Sequence, residues 1–489
     1  MQSDKYIAVI DQGTTGTRCI IFNKLGQIVN LAYKKHKQFF LKPGFAEQDP
    51  IEIVNNIRLL LKQSLKKAGL THKDIKSLGI TNQRETIVAW DKASGMPIYN
   101  AITWQDTRTR EFIKKLDKRG LQDTIRKKTG LYLSTYSSAS KIKWILDNVP
   151  KAKQLLKEGR LMLGTIDTWI IWNLTGGKSF FTDHTNASRT MLFNIKELDW
   201  DSELLEIFGL KQLILPEVKT SMSYDGFGKL SEKGLENIPI NSDLGDQQSA
   251  LFGEACFSLG ESKITYGTGS FVLQNIGKKL KYNPGLITTC AYSQENKCVY
   301  ALEGSTSISG AIFDWLKKVR LLKSTTELNN MLKKGTDTDV YFVPAFSGLF
   351  SPYWDNSATG TILGISSKTE RRDIVLAAVY GICLQIKDII ERLQKVNGTL
   401  KVDGGVAAND YIMQLQADIL GKKLFRSNIK EATALGAAFS AGLYSDFWKL
   451  EEIKEINRRG SYFYPKSINK NILLYWNNAI KRSTNWQNT

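Results

Sequence analysis

A short run rich in glycine and threonine follows the first apolar segment of the sequence, at Asp11–Arg18 (DQGTTGTR). Glycines let backbone N–H groups approach a phosphate closely. Threonine hydroxyls add hydrogen-bond donors, and Arg18 adds a charge that grips phosphate through two bonds. Asp11, at a strand end, is suited to holding magnesium through water. The run predicts a phosphate site, and a plain hairpin turn is the alternative.

Two later turns have the composition of further nucleotide contacts. Gly267–Ser270 (GTGS) offers a second loop of donors. Asp403-Gly404-Gly405, followed by Asn409, places a glycine turn where it can lie against the sugar or base of a nucleotide. The sequence has no GxxxxGK[ST] motif, so a P-loop is excluded. Two donor loops on similar hairpins indicate a clamp for a triphosphate, whereas each turn alone is compatible with an ordinary connection.

Two dense polar clusters, Asn82–Glu85 (NQRE) and Trp104–Arg108 (WQDTR), are candidates for binding a small polar substrate. A polyol needs paired donors and acceptors for its hydroxyls and an apolar wall for its carbons. Those residue types are supplied by Arg84, Glu85, Trp104 and Phe271. We expect a polyol pocket here, and surface loops with incidental charges are the alternative for either cluster alone.

Asp246 stands in Leu244–Gln248 (LGDQQ), just before the apolar Ala250–Phe252. This position is typical of a helix N-cap. It also suits a general base, because a carboxylate beside a hydroxyl accepts its proton as the oxygen attacks the γ-phosphorus. The residues leave both roles open, since an N-cap position does not exclude catalysis.

Strands and helices alternate around these candidate residues. Tyr6–Ile10 and Cys19–Phe22 predict a hairpin, a helix pattern starts at Pro50, and Ser77–Gly79 begins a further strand. Ala432–Leu443 predicts a late helix of small residues. This alternation indicates an α/β architecture.

The chain has 489 residues, which is more than one hydrophobic core usually supports. The hairpin at Ser262–Leu273 echoes the first one about half the chain later, which suggests a duplicated architecture. We predict an N-terminal domain over residues 1–250, with the polyol site and first phosphate loop. The C-terminal domain, over residues 251–489, should hold the second phosphate loop and the adenosine site.

Composition excludes several classes of protein. Apolar residues make up 42% and charged residues 24%, and no apolar run is long enough for a membrane span or a signal peptide. The five cysteines lack CxxC spacing, which favours free thiols in a reducing compartment, hence the cytoplasm. The net charge of +19 comes from dispersed lysines and arginines without a nucleic-acid motif, so we expect no nucleic-acid partner.

Taken together, these motifs resemble the FGGY family of carbohydrate kinases over nearly the whole chain, and within it the members that phosphorylate glycerol. The resemblance implies two ribonuclease-H-like domains of the actin-like ATPase type flanking a cleft. The segments that carry it are Asp11–Arg18, Thr81–Thr86 (TNQRET), Trp104–Arg108, Tyr136–Asn148, Gly245–Gln248 (GDQQ), Tyr266–Gly269 (YGTG), Pro352–Asp355 (PYWD), Gly360–Ile365 and Val402–Gly405 (VDGG).

The same resemblance implies roles for individual residues. Glycerol is expected against Arg84, Glu85, Trp104, Tyr136, Asp246, Gln247 and Phe271. ATP is expected against Thr14, Thr15, Gly16, Arg18, Thr268, Gly310, Asp314, Gly405 and Asn409. The catalytic roles fall to Asp246 as base, Arg18 as phosphate ligand and Asp11 as an outer-shell ligand of Mg²⁺.

The implied reaction is direct in-line phosphorylation of glycerol by ATP to sn-glycerol 3-phosphate, feeding glycerol catabolism and glycerolipid synthesis. A homodimer or homotetramer is expected. A kinase of xylulose, gluconate or erythritol is the alternative within the class. A nucleotide-dependent clamp, like the actin and chaperone ATPases, is the alternative outside it, although a clamp needs no pocket of Arg84, Glu85 and Trp104.

Several positions depart from the family pattern. Gly16 stands where serine is frequent, Asp314 where glutamine is usual, and Tyr380 where an acid or amide is usual. Relatives inhibited by fructose 1,6-bisphosphate carry Gly-Arg before Ile-Pro-Ile, whereas Glu236-Asn237 stands here. Relatives activated by histidine phosphorylation have a histidine where Asp225 stands. We therefore expect both of these controls to be missing.

Overall fold

The turn at Asp11–Arg18 joins two antiparallel strands in the computed structural model, which describes residues 5–295, 297–335, 337–429, 431–466 and 471–486. The strands of the N-terminal half are β1 (Tyr6–Gln12), β2 (Gly16–Phe22), β3 (Ile28–Lys35), β4 (Gln38–Phe39), β5 (Glu47–Gln48), β6 (Ile75–Asn82), β7 (Ile87–Asp91), β8 (Ala101–Ile102), β9 (Leu161–Thr165), β10 (Phe181–Asp183), β11 (Phe193–Asn194), β12 (Asp199–Trp200), β13 (Glu217–Lys219) and β14 (Ile240–Gly245). Its helices are α1 (Pro50–Ala68), α2 (Arg110–Lys118), α3 (Gln122–Thr129), α4 (Ser138–Asn148), α5 (Pro150–Lys157), α6 (Ile166–Leu174), α7 (His184–Ala187), α8 (Ser202–Ile207) and α9 (Asp246–Gly253).

The C-terminal half continues this alternation. Its strands are β15 (Ser262–Tyr266), β16 (Ser270–Gly277), β17 (Ile287–Gln294), β18 (Lys297–Thr306), β19 (Tyr341–Val343), β20 (Thr361–Leu363), β21 (Leu400–Asp403), β22 (Leu424–Ser427) and β23 (Gly460–Phe463). Its helices are α10 (Ala311–Lys318), α11 (Thr325–Lys333), α12 (Arg371–Ile390), α13 (Asp410–Leu420), α14 (Ala432–Leu443), α15 (Leu450–Ile456) and α16 (Asn471–Ser483).

Each half contains a sheet built on one plan. The N-terminal sheet has the order β14-β6-β1-β2-β3, in which β1, β2 and β3 are antiparallel and β6 and β14 run parallel to β1. In the C-terminal sheet, of order β17-β18-β16-β15-β21-β22-β23, the antiparallel set is β15, β16 and β18. β21 and β22 continue it in parallel beside β15. The repeated order confirms the duplicated α/β architecture that the sequence predicts.

The local sequence explains why the first elements form where they do. From Ile7 onward every residue of β1 is buried, as in a central strand covered on both faces. α1 begins at Pro50 as predicted, because the Asp49 carboxylate accepts the N–H of Ile51 and proline suits the first helical position. Gly69 ends the helix in the left-handed conformation, with φ of 68°.

Two helices hold the halves together at close range. α14, which spans the predicted Ala432–Leu443, packs on α9 and across β6 and β1 of the N-terminal sheet. A Cβ added at Gly436 would lie 1.8 Å from the carbonyl oxygen of Ser249, and one at Gly79 would lie 2.2 Å from that of Ala437. Only glycine permits this approach, so the halves meet through a packed interface.

The ends of the parallel strands bring the candidate site residues to one edge of each sheet. Gln12 of β1, Asn82 of β6 and Gly245 of β14 are neighbours in register. In the other sheet, Thr265 of β15 pairs with Asp403 of β21. The segments that follow these strands therefore lie side by side, as ligand-binding loops of open α/β sheets do. Within the described residues, no helix has the length and apolar character that a membrane crossing requires.

Candidate active site

The guanidinium of Arg84 is the centre of the predicted polyol cluster. It follows β6, and the side chain is only 2% exposed. Its Nη2 lies 3.3 Å from the Tyr136 hydroxyl, and its Nε lies 3.3 Å from an Asp246 carboxylate oxygen and 3.7 Å from one of Glu85. Three predicted site residues, Glu85 next in the sequence and Tyr136 and Asp246 from more distant positions, therefore meet around the Arg84 cation.

A buried carboxylate from the other half of the chain fixes this cation. Glu303 of β18 accepts two hydrogen bonds from Arg84, at 2.6 and 3.0 Å. Arg189 contributes a second guanidinium, which donates to Glu85 at 2.8 Å and to Glu303 at 3.3 Å. Burial raises the pKa of Glu303, but Arg189 and Arg84 outweigh burial and lower it to about 2. This four-residue network holds Arg84 and Glu85 in place.

Sequence reasoning missed Arg189 and Glu303. The available signal was a charged residue inside an otherwise apolar strand pattern, since Glu303 follows Tyr300, Ala301 and Leu302. Such a charge is almost never buried without a partner. The pattern thus indicates a buried ion pair but does not identify the partner.

Trp104 connects the polyol cluster to the first phosphate loop. Its indole Nε1 donates to the hydroxyl of Thr14 at 2.9 Å. Its ring meets that of Tyr136 edge to face, with centroids 5.5 Å apart. The two rings form an apolar wall beside Arg84, the arrangement that a carbon chain with several hydroxyls requires.

Asp246 is the first residue of α9, and Gly245 occupies the N-cap position. The N-cap alternative for Asp246 is therefore wrong by one residue, because β14 runs in extended conformation up to Gly245. The Asp246 side chain is 33% exposed and accepts the Gln247 N–H at 2.7 Å. Burial raises its pKa and Arg84 acts against this rise. An open carboxylate of raised pKa beside the polyol cluster is suited to accepting a proton.

The phosphate side is organised around Asp11 and Arg18. Arg18 Nη1 donates to Asp11 at 3.2 Å, and its Nε lies 3.8 Å from Glu431, which precedes α14. Burial raises the pKa of Asp11 to about 6, and while Arg18 opposes this, the charges of Glu431 and Asp246 add to it. A cation bound near Asp11 would therefore stabilise the ionised form of its carboxyl group.

This environment fits the Mg²⁺ that phosphoryl transfer requires. Magnesium is commonly held by one or two carboxylates, with waters and substrate phosphates completing its shell. The described residues contain no group of three or more His, Cys, Asp or Glu side chains that could hold a metal by themselves. A single buried carboxylate, Asp11, matches a metal held mainly by the nucleotide.

The second donor loop is tied to the start of α10. Gly310 N donates to Gly267 O at 2.9 Å, and Ser309 N donates to Thr268 O at 2.7 Å. A Cβ at Gly269 would lie 2.2 Å from the carbonyl oxygen of Thr306, so glycine is required for the close turn. Thr268 itself is exposed, on the same side of the sheet as the loop after β21.

Comparison with known sequences identifies the family to which this arrangement belongs. Models of the N-terminal and C-terminal domains of the FGGY family of carbohydrate kinases match residues 6–253 and 262–444. The chain belongs to the FGGY family of carbohydrate kinases. Among curated relatives, the glycerol kinases of Clostridium botulinum (strain Langeland) and Thermoanaerobacter sp. (strain X514) are 45% and 47% identical, each over 99% of both chains.

Solved structures agree with this assignment. The structure of Plasmodium falciparum glycerol kinase with ADP superposes with a TM-score of 0.91 at 39% identity, covering 98% of both chains. A xylulose kinase of Lactobacillus acidophilus has a TM-score of 0.86 at 22% identity, over 98% of this chain and 97% of that one, which shows the fold alone. The FGGY fold has two domains of the actin-like ATPase type, as the sequence predicts.

Two departures from the FGGY pattern have structural explanations. A Cβ at Gly16 would lie 2.6 Å from the Tyr33 ring and 2.7 Å from the Lys34 carbonyl oxygen, so serine would not fit without a shift. Tyr380 is buried in α12 and belongs to the C-terminal core. Neither change therefore removes a group from the polyol cluster.

The other predicted nucleotide residues lie apart from the polyol cluster around Arg84. Asp314 is 85% exposed on α10 and pairs with Lys317 at 3.6 Å. Asn409 caps α13 and donates to Asn329 at 2.6 Å. A Cβ at Gly405 would meet no atom within 4 Å, so open space lies beside this turn.

Three other predicted site residues lie in different surroundings. Thr15 is exposed at the tip of the first loop. Gln247 is buried on α9, where its side chain accepts a hydrogen bond from Lys263. Phe271, opposite Thr265 on β16, packs against the hydrophobic cluster shared by both halves.

Proposed function

We propose that this chain transfers the γ-phosphoryl group of ATP to a terminal hydroxyl of glycerol, giving sn-glycerol 3-phosphate and ADP. The observation that carries the proposal is the meeting of Tyr136, Asp246 and Glu85 around the buried Arg84, next to the first phosphate loop. Full-length relatives that are glycerol kinases support glycerol over other polyols.

In the proposed mechanism the Asp246 carboxylate accepts the proton of the attacking hydroxyl. The hydroxyl oxygen bonds to the γ-phosphorus while the bond from that phosphorus to the β–γ bridging oxygen breaks, so no phosphoenzyme forms. Arg18 and the threonine hydroxyls neutralise phosphate charge, and Arg84 orients the acceptor. Mg²⁺, held through water by Asp11, would supply further charge neutralisation when bound.

Binding roles are proposed for the wider residue set. Glycerol would contact Arg84, Glu85, Trp104, Tyr136, Asp246, Gln247 and Phe271. ATP would contact Thr14, Thr15, Gly16, Arg18, Thr268, Gly310, Gly405 and Asn409, with Asp314 at the margin. The division into domains 1–250 and 251–489 stays a prediction, with the adenosine site in the second.

The physiological setting is part of the same proposal. We expect the enzyme to work in the cytoplasm as a homodimer or homotetramer and to supply glycerol catabolism and glycerolipid synthesis. Closure of the two domains would exclude water, because a wet site would hydrolyse ATP.

A coupled assay of ADP release with a polyol panel tests the substrate assignment. Purified protein with MgATP is given glycerol, xylulose, gluconate or erythritol in turn. Stimulation by glycerol far above the others is the expected result. Stimulation by another panel member would replace glycerol with that substrate, and ADP release that no polyol stimulates would favour a nucleotide-dependent clamp.

A further inference from the structure

A buried lysine lies directly behind the substrate-facing residues. Lys263 of β15 is 0% exposed, and its ammonium donates to the Gln247 side-chain oxygen at 2.6 Å and to the Thr265 hydroxyl at 2.7 Å. Burial lowers the pKa of Lys263, and the carboxylates of Asp403, Asp246 and Glu303 act against that lowering. The lysine therefore sits among carboxylates from both halves of the chain.

The contact with Lys263 decides which end of the Gln247 amide faces the pocket. An ammonium group has only donors, so it must meet the amide oxygen of Gln247 and not the amide nitrogen. The NH₂ group is then the end that would meet a polyol bound as proposed above. It adds donors to a pocket in which Asp246 and Glu85 supply acceptors.

The second contact of Lys263 extends toward the nucleotide side. Thr265 pairs in register with Asp403, the residue before the Gly404–Gly405 turn. Burial raises the pKa of Asp403, while Lys263 and a contact from Thr265 act against the rise. One ammonium thus contacts the Gln247 amide and Thr265, which lies beside the strand that leads to the Gly404–Gly405 turn.

We propose that Lys263 is a positioning residue that holds the Gln247 amide with its N–H groups toward the acceptor polyol. The proposal rests on the proposed function in requiring that the ligand is a polyol and that Gln247 contacts it. Lys263 does not touch the reacting atoms. It acts by preventing the flipped orientation of the Gln247 amide. In that orientation the amide oxygen, and not the NH₂ group, would face the polyol, so a hydroxyl would meet only acceptors from Gln247 and the neighbouring carboxylates.

Two variants test this role from opposite sides, with glycerol as the probe. Lys263→Met removes the ammonium, and Gln247→Glu keeps an oxygen for Lys263 but replaces the NH₂ group with a second oxygen. Each should raise the KM for glycerol at least about tenfold, because a buried charge-assisted hydrogen bond or its donor is lost. The KM for MgATP should change less than threefold, and the double variant should be little worse than Gln247→Glu alone.

Lys401→Met is the matched control. Lys401 pairs in register with Lys263 on the next strand, but its ammonium donates to the backbone carbonyls of Glu254 and Ala255. Burial raises the pKa of Asp246, and Arg84 and Lys263 act against that rise, so Lys263→Met should move the acidic limb of the pH–rate profile upward. Lys401→Met should leave that limb and the glycerol KM unchanged.

Each possible result of these experiments bears on the proposed role of Lys263. If Lys263→Met only lowers the unfolding temperature, with glycerol KM and pH profile as in the wild type, Lys263 is structural and the proposal is overturned. If Lys263→Met does not fold, a wild-type glycerol KM for Gln247→Glu overturns the orientation just as well. If the wild type prefers another polyol, the same comparison is made with it, so the substrate assignment fails while the role of Lys263 is still tested.

Discussion

The proposed acceptor side and the proposed phosphate side of the site are built differently. Around Arg84, charged groups are buried, paired and contributed by both halves of the chain. On the phosphate side, Thr15, Thr268 and Gly405 are exposed in short turns, and the Arg18 side chain remains 38% exposed. The proposed polyol site is thus organised before ligand arrives, whereas in the proposed phosphate site the phosphate groups of ATP would supply much of the order.

This contrast explains how the enzyme can favour a small acceptor over water. Glycerol offers little surface, so its pocket gains most from groups that are already oriented. ATP is large and highly charged, and it tolerates loops that adjust on binding. Changes on the acceptor side should therefore have large effects, and changes at the exposed nucleotide margin should have small ones.

The largest effect is expected at the point where the two sides meet. Asp246→Asn keeps the shape of the side chain but cannot accept the proton of the attacking hydroxyl. We expect kcat to fall roughly 10²-fold or more. Glycerol binding, measured by titration calorimetry, should remain largely intact because Arg84 and Tyr136 are unchanged.

The exposed Asp225→Asn is the control for loss of one carboxylate. It should have wild-type turnover. Near-normal kcat in Asp246→Asn would remove the base assignment, and loss of glycerol binding with a proportionate loss of activity would make Asp246 a binding residue only.

The next largest effect tests whether the acceptor side depends on its buried network. Glu303→Gln removes the carboxylate that pairs most closely with Arg84, and leaves Glu85 as the carboxylate shared with Arg189 and Asp246 as a further partner of Arg84. Breaking a buried ion pair from one side typically costs about 3 kcal/mol or more. We expect a loss of that order in the free energy of unfolding, measured in urea, and a glycerol KM raised about tenfold or more.

Glu295→Gln, at an exposed position in the turn before β18, is its control. It should change neither stability nor KM. If Glu303→Gln raises the KM for MgATP as strongly as that for glycerol, the two sides are not energetically separate and the comparison drawn above is wrong.

A third prediction concerns two buried carboxyl groups, Asp243 on the strand that leads to Asp246 and Asp167 on α6. Asp243 of β14 is buried, neither of its oxygens has a partner among the described residues, and Asp167 has one unpartnered oxygen. Burial raises the pKa of Asp243 well above its usual value, with Asp167 and Asp183 adding to the rise. The folded protein therefore keeps a proton here that the unfolded chain releases at a lower pH.

The sign of the pH effect follows from that raised pKa. The stability associated with this proton is complete below the unfolded pKa and is lost as pH rises through the folded one. Asp243→Asn should therefore stabilise the protein at pH 8 by about 1 kcal/mol or more and flatten the dependence of unfolding temperature on pH. An equal unfolding temperature for variant and wild type across pH 5–9 would contradict the raised pKa of Asp243.

Much of the fold could be predicted because its signals are local. The start of α1 at Pro50, the bounds of α14 and the repeat of the first hairpin all follow from short-range patterns of apolar residues, caps and glycines. The Gly-Thr loops were equally visible as candidate phosphate sites. Their conformations depend on glycine, and glycine is easily recognised in a sequence.

The buried ion pairs that hold the acceptor side in place could not be predicted in the same way. Glu85 and Arg189 are 104 positions apart, and Arg84 and Glu303 are 219 positions apart. Their pairing depends on which strands lie together across two halves of the chain. The N-cap alternative for Asp246 failed for a smaller reason, because helix ends are uncertain by a residue without the backbone conformation.

The smallest effect is expected at Asp314, on the exposed margin of the nucleotide side. Asp314→Gln introduces the residue usual in the family at an exposed side chain that pairs with Lys317 on its own helix. Exposed ion pairs of this kind contribute little. We expect the KM for MgATP to fall by less than about threefold, with glycerol KM and stability unchanged.

A second variant at Asp314 identifies the cause of this small change in the KM for MgATP. Asp314→Asn removes the same negative charge but keeps the shorter side chain, so it separates the effect of charge from that of reach. If both variants lower the KM for MgATP equally, repulsion between Asp314 and the nucleotide is the cause. If only the glutamine does so, its longer side chain contacts the nucleotide. A tenfold change in either would show that this margin is as organised as the polyol pocket, and the contrast between the two sides would fail.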